Sequence, residues 1–267
     1  MQLPSSSAIE FGGERMKYVS VPLVNGLNKT KGCEFAPKEI SKILEKDFLK
    51  VDFDNDELDK ATKKIYEFAF EILNKEKKVS FVGGDHSASY PLTRAFFDYC
   101  DNSGKKPCLI IFDAHPDCME PMDPEFPTHE EWLRGLIDDG FPTKNILLIG
   151  ARNLDNVEKS FLKEKGIRQI EMKSFLEDLN VTIESIMEFS SGKELYLSID
   201  IDFIDPAFAP GTGCPEAGGL SSKEFLYLCD RMSKMKNLKA IDLVEINPKK
   251  DVGSLTVKLG AKILEKF

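Results

Sequence analysis

The sequence predicts an α/β fold, a mainly parallel sheet with helices on both faces, on three observations. Short apolar runs alternate with amphipathic stretches along almost all 267 residues, the pattern of strands joined by crossover helices. A chain of that length with 42% hydrophobic residues can bury a large core. No internal repeat, low-complexity tract or Pro-, Gly- or Ser-rich linker divides it, so residues 1–267 read as one domain.

The elements follow in order. "YVSVPLV", Tyr18 to Val24, reads as the first strand. "PKEISKILEKDF" reads as a helix with Pro37 at its first position, where the missing N–H leaves no bond unmade. In the long charged helix "DELDKATKKIYEFAFEILNKEKK", Leu58, Ile65, Phe68 and Ile72 recur near helical spacing. "VSFVGG" is a strand ending in glycines, and "SASYPLTRAFFDYC" a helix despite Pro91 near its start. "CLIIFD" is a strand, and "THEEWLRGLIDDG" a helix whose Thr128 and Glu131 suggest a capping box. "NILLIG" (strand), "NVEKSFLKEKG" (helix), "ELYLSIDID" (strand) and "SSKEFLYLCDRMSKM" (helix) come next. "LKAIDLVEIN" is the last strand, and "GSLTVKLGAKILEKF" the closing helix.

Charge and cysteines narrow the class. A formal net charge of −9 argues against a nucleic-acid ligand, because phosphate contacts need clustered Lys and Arg. It is compatible with a small cationic substrate. The six cysteines, Cys33, Cys100, Cys108, Cys118, Cys214 and Cys229, form no CxxC pair or disulfide framework, so reduced thiols are expected. The N-terminus has no basic segment followed by an apolar h-region. No apolar run approaches the roughly 20 residues of a membrane helix. The expectation is a cytoplasmic protein without a membrane partner.

Ligands of open parallel sheets gather beyond the carboxyl ends of the strands, and three polar clusters stand there. "DAHPD" carries Asp113, His115 and Asp117 at alternate positions, which in extended backbone share one side. "SIDIDFIDP" repeats the device with Asp200 and Asp202, and "GGDHS" sets Asp85 and His86 after a third strand. A lone Asp at a strand end is usually a cap or turn former, and a lone His usually a satisfied hydrogen-bonding residue. Here two of only three histidines lie inside the clusters. Four carboxylates converging without cations would repel one another severely. Two divalent ions with bridging carboxylates resolve that conflict, and a site rich in oxygen and imidazole without thiolate favours Mn²⁺, with Fe²⁺, Co²⁺ or Ni²⁺ as alternatives. Two ions roughly 3.5–4 Å apart can hold a shared water and lower its pKa.

"GGDHS" (83–87), "DAHPD" (113–117) and "SIDIDFIDPAFAPGTGCPEAGG" (198–219) resemble, in order, the three signature motifs of the arginase/agmatinase (ureohydrolase) family. The similarity runs from about Tyr18 to the C-terminus. It implies a three-layer α/β/α sandwich with two Mn²⁺ per subunit that hydrolyses a guanidinium-like group, usually releasing urea. It implies that one ion takes His86, Asp113, Asp117 and Asp200, and the other His115, Asp113, Asp200 and Asp202. It further implies a catalytic relay by Asp117 and proton shuttling by His129, in "PTHEEW". "DLVEINP" looks like the family's strand whose glutamate, here Glu245, grips the guanidinium through charge-assisted bonds; burying it otherwise would be costly, and a salt bridge is the competing reading. Cys214 stands where the family usually has a substrate-side Thr, and Ala36 where Gly is common before Pro37.

The resemblance places arginase first, with agmatinase or another guanidino-acid or formimino hydrolase as the alternative. It also implies a homo-oligomer, trimer or hexamer. A non-catalytic member that binds metal or a guanidino ligand is a rival of another class, and a dinuclear phosphoesterase a third. Asp205 before Pro206 reads as a turn former, and Cys118 as a thiol pointing away from the metals. Trp132, Phe126 and Met122 either line the pocket mouth or pack helices.

Overall fold

The computed structural model describes residues 16–26, 29–123 and 125–267; residues 1–15, on which the expected absence of a leader bears, lie outside them. The strands are β1 (Lys17–Val21), β2 (Leu49–Lys50), β3 (Val79–Gly83), β4 (Pro107–Phe112), β5 (Ile146–Ile149), β6 (Arg168–Ile170), β7 (Glu194–Asp200) and β8 (Leu238–Val244). The helices are α1 (Ala36–Leu44), α2 (Leu58–Lys75), α3 (Ser89–Asn102), α4 (Trp132–Asp138) and α5 (Asn156–Lys165). They continue with α6 (Met172–Glu177), α7 (Leu179–Phe189), α8 (Ser222–Met232) and α9 (Leu255–Leu264). One eight-stranded sheet forms in the order β2-β1-β3-β8-β7-β4-β5-β6, and every pairing is parallel. The expected "mainly parallel" sheet is thus parallel throughout.

Alternation along each strand sends side chains into two separate cores. Ile110 and Phe112 of β4 face Ile40, Ile183, Phe225 and Leu264 on one side. Leu109 and Ile111 face Ile65, Phe96, Trp132 and Phe161 on the other. Helices α1, α7, α8 and α9 therefore cover one face and α2 to α5 the opposite one. This sandwich leaves β3, β4 and β8 buried at every residue, which is why these segments read as apolar runs.

The local departures from the sequence reading have identifiable causes. β1 stops at Val21 rather than Val24, because Pro22 brings no N–H to the ladder and Leu23 N–H turns back to Val21 O at 2.8 Å. Helix α4 starts at Trp132, and Thr128 is not its cap. Thr128 and Glu131 close a separate turn, with Thr128 N–H donating to Glu131 Oε2 at 3.1 Å. Met119 N–H donates to Glu130 O and Leu133 N–H to Asp117 O, so tertiary bonds hold this segment in place of an earlier helical turn. Strands β2 and β6 and helices α6 and α7 carry no assignment from sequence. The two strands are short, polar sheet edges, and their exposure removes the apolar signal. Reciprocal capping boxes form instead at Asp155/Glu158 and Ser221/Glu224.

What matters for the site is register. Val82, Leu243, Ile199 and Phe112 pair across one rung of the four neighbouring strands β3, β8, β7 and β4. All four chains therefore leave the sheet at the same height. They are the strands that carry the three polar clusters and Glu245.

Candidate active site

Asp113 follows the last residue of β4, and Asp200 is the last residue of β7. Beyond that point the backbone is not extended, so strand alternation is not what aligns the clusters. Asp113 Oδ1 accepts His115 N–H at 2.7 Å and Asp200 Oδ1 accepts Asp202 N–H at 2.8 Å. Each first carboxylate thus folds its own loop. Asp202 sits in a 3₁₀ turn, Ile201–Phe203, and Asp117 adopts φ 50°, a left-handed conformation uncommon for Asp. These bends turn side chains from three loops toward one another.

The six sequence-named acid and imidazole groups do converge. His86 Nδ1 lies 3.1 Å from Asp113 Oδ2, 2.9 Å from Asp117 Oδ2 and 3.2 Å from Asp200 Oδ2. His115 Nδ1 lies 2.9 Å from Asp202 Oδ2 and 3.6 Å from Asp113 Oδ1. Two sets with ligand atoms all within 4.8 Å result, His86–Asp113–Asp200 and Asp113–His115–Asp202, and Asp113 belongs to both. Despite those short separations, His86 Nδ1 and Asp113 Oδ2 make no hydrogen bond. Lone pairs aimed at a common point, rather than along donor–acceptor lines, are what a metal ion requires. The donor set, oxygen and imidazole without thiolate, fits divalent cations of the first transition row.

Electrostatics point the same way. Burial, reinforced by Asp113, pushes the Asp117 carboxyl up to about 7. Burial also raises Asp200, with Asp202 and Asp113 adding to it, and raises Asp202, with Asp113 adding. Asp113 alone is held below the usual carboxylate range: burial opposes its charge, but His115 and His86 outweigh it. So many carboxylates keep their charge at neutral pH only if cations join them.

Behind the ligand atoms stands a layer that sequence reasoning did not find. His86 Nε2 lies 3.0 Å from Ser198 Oγ, whose hydroxyl donates to Asp242 Oδ1 at 2.8 Å. That chain places the proton on Nε2 and leaves Nδ1 free for a ligand. Asp242 Oδ2 accepts two more hydroxyls, from Ser89 and Tyr196, both at 2.9 Å. The available signal was a carboxylate in mid-strand within "KAIDLV", which must be satisfied locally. On the other side, Glu216 Oε1 lies 3.6 Å from His115 Nε2 and accepts Asn153 Nδ2 at 2.6 Å. Trp132 Nε1–H donates to Asp117 Oδ2 at 2.9 Å.

The clusters open into a cavity of about 390 Å³ lined by Glu245, Cys214 and His129 among others. Glu245 lies one residue past β8 rather than within it, at φ 64°. Among the described residues its side chain forms no salt bridge; Oε1 accepts the backbone N–H of His86 at 2.9 Å. Burial and then Asp85 raise its pKa strongly, against the lowering effect of His86. Cys214 is half-buried on the wall. His129 is buried in the turn before α4, not exposed in a first helical turn; Nε2 lies 3.7 Å from Glu130 Oε1, and among the described residues neither ring nitrogen makes a hydrogen bond. Burial lowers its pKa. At the mouth, Lys29 Nζ lies 2.6 Å from Glu130 Oε1, with Asp155 and Glu216 nearby on the same wall.

Other sequence-named residues lie off the cavity. Cys118 is buried in the core between the sheet and α2 to α5, and its N–H donates to Glu158 Oε1. Asp205 accepts Ala207 N–H and Gly218 N–H, the turn role expected of it. Trp132 is fully buried, Met122 is exposed, and Phe126 borders a separate depression beside Tyr66 and Tyr90. Among the described residues no helix is long and apolar enough to cross a membrane.

Comparison with known proteins gives a consistent result. The model of the arginase family matches residues 14–267. Arginase 1, mitochondrial, of Oryza sativa subsp. indica is 32% identical over 187 residues, 70% of this chain and 53% of that protein. The chain thus spans about half the length of this relative. Agmatinase of Bacillus subtilis (strain 168) is 33% identical over 206 residues, 76% of this chain and 67% of the agmatinase. Among solved structures, a hypothetical agmatinase from Burkholderia thailandensis superposes with TM-score 0.80 at 28% identity, covering 94% of this chain and 84% of that one.

Proposed function

The chain belongs to the arginase family, and from that premise we propose that it is a metal-dependent hydrolase that cleaves a guanidinium C–N bond and releases urea. The observation that carries the reading is the convergence of His86, Asp113, Asp117, Asp200, His115 and Asp202 beside a buried Glu245 on one cavity. We assign two Mn²⁺ per subunit. His86, Asp113, Asp117 and Asp200 would hold one, and His115, Asp113, Asp200 and Asp202 the other. Bound there, such ions supply Lewis acidity and a water of lowered pKa.

The chain's own groups account for the rest. Glu245, with Oε1 fixed by the His86 N–H, presents its carboxylate to the planar guanidinium and orients it. Asp117 takes a proton from the attacking water on its carboxylate and passes it to the departing amine. His129, on the cavity wall with Nε2 3.7 Å from Glu130 Oε1, exchanges protons with solvent. Cys214 contacts the substrate from the wall.

The mouth supports arginine as the first substrate, giving ornithine and urea. Lys29 faces a carboxylate there, while Glu130, Asp155 and Glu216 suit an α-ammonium group. Agmatine, a guanidino acid or a formimino compound is the alternative. We also propose one domain, a cytoplasmic setting and a homo-oligomer, trimer or hexamer. Urea release from arginine, agmatine and guanidinobutyrate by the Mn²⁺-loaded protein, with formamide release from formiminoglutamate, tests the reading. Product from none of them would favour a non-catalytic binder.

A further inference from the structure

The two oxygens of Glu245 are held from different directions. Oε1 accepts the backbone N–H of His86. Oε2 lies 3.7 Å from the sulfur of Cys33, within thiol hydrogen-bond reach. Cys33 is fully buried and stands behind Glu245, outside the cavity wall. It opens a 3₁₀ turn, Cys33–Phe35, after Gly32 at φ 121°. A Cβ at Gly32 would come within 2.2 Å of Asn247 Oδ1, so the chain passes there only because that residue is glycine. Asn247 Nδ2 donates to Lys31 O at 3.2 Å, and Asn247 N–H donates to Gly211 O at 2.7 Å. Asn247, two residues after Glu245, therefore ties the Cys33 turn to the segment that carries the glutamate.

We propose that Cys33 is a positioning residue whose S–H donates to Glu245 Oε2 and fixes the direction in which that oxygen faces a bound guanidinium. The inference rests on the reading of Glu245 given above. A thiol suits this task because it is a weak donor. It orients Oε2 while leaving most of that oxygen's capacity for the ligand, which a full hydrogen bond from a hydroxyl would compete for. Burial and the negative charges of Glu245, Asp85 and Asp200 keep the sulfur protonated and so able to donate.

The test is a double-mutant cycle with methylguanidinium chloride, a probe that carries only the headgroup, titrated into the Mn²⁺-loaded protein. Glu245→Gln weakens binding. Cys33→Val, close in size and without a donor, weakens it about 3–10-fold, the range of one modest hydrogen bond. Cys33→Ser, a donor that orients Oε2 but competes more for it, binds between Cys33→Val and the wild type. In the Glu245→Gln background the Cys33→Val effect falls below about twofold, because interacting residues are non-additive. An equal Cys33→Val effect in both backgrounds, or none in wild type, overturns the proposal and leaves the Glu245 reading standing. Wild-type affinity in Glu245→Gln, or no binding to the wild type, overturns both. Infrared spectra supply a readout that needs neither the Val variant nor activity. The sulfhydryl band lost in Cys33→Ser should lie below that lost in Cys108→Ser, and should rise when Glu245→Ala is introduced. A Cys33 band coincident with that of Cys108 overturns the proposal.

Discussion

The indole N–H of Trp132 donates to Asp117 Oδ2 across 2.9 Å, and the same ring tilts against the His86 imidazole at 4.7 Å between centroids. One buried side chain thus sets two of the proposed ligands of the same ion. Partners behind a ligand typically contribute about 10–100-fold to metal affinity. Trp132→Phe keeps most of the ring and removes the donor. It should weaken Mn²⁺ binding by about that factor in a chelator competition. Unchanged affinity would mean that the bond is incidental.

Asp242 accepts hydroxyls from Ser89, Tyr196 and Ser198 in a fully buried setting. Asp242→Asn turns one acceptor oxygen into a donor and leaves hydroxyls facing it without an acceptor. Each buried group stranded in this way costs about 1–3 kcal/mol, so urea denaturation should show a loss of at least that size. Ser198→Ala, which removes the link to His86 and one of the three hydroxyls that Asp242 accepts, should lower metal affinity more than it lowers stability.

Lys29 is half-exposed and already paired with Glu130, so its effect on substrates should be modest. Lys29→Ala should lower kcat/KM for arginine about 2–5-fold relative to agmatine, in keeping with an ion pair near solvent. Glu130→Gln should move the ratio the other way. Equal losses for both compounds would show that the lysine does not meet the substrate's carboxylate.

Removing metal should destabilise the fold itself. His86, Asp113 and Asp200 place ligand atoms within 4.8 Å of one another, and bound cations would relieve the repulsion between the two carboxylates. Ligand that binds the native state alone stabilises it by about 2.7 kcal/mol at a hundred times its dissociation constant. Calorimetric scans with and without Mn²⁺ should therefore separate clearly in Tm, and the same scans on Asp113→Asn should not. A metal-independent Tm for the unaltered chain would count against the two sets as a metal centre.

The residue types of the site were legible because chemistry restricts them. Few arrangements other than metal binding tolerate His86, Asp113, His115, Asp117, Asp200 and Asp202 at strand ends. How they converge was not legible. Alternate spacing in "DAHPD" suggested a continued strand, whereas the hydrogen bond that His115 N–H donates to Asp113 Oδ1 and a left-handed Asp117 bend the loop. Trp132, Ser198 and Glu216 were invisible as partners because a sequence shows which groups can donate or accept, not which of them meet.

Sequence by itself determined the layered α/β class, through apolar runs alternating with amphipathic ones, and the oxygen-and-imidazole character of the site. Only the tertiary structure decided that β3, β8, β7 and β4 lie side by side and end on one rung. Strand order depends on where each crossover helix packs, a competition among similar apolar faces that no local pattern records. The same packing decided that Glu245 leaves its strand at φ 64° beside Cys33. Contacts between residues 212 apart in the chain exist only once the whole sheet has closed around them.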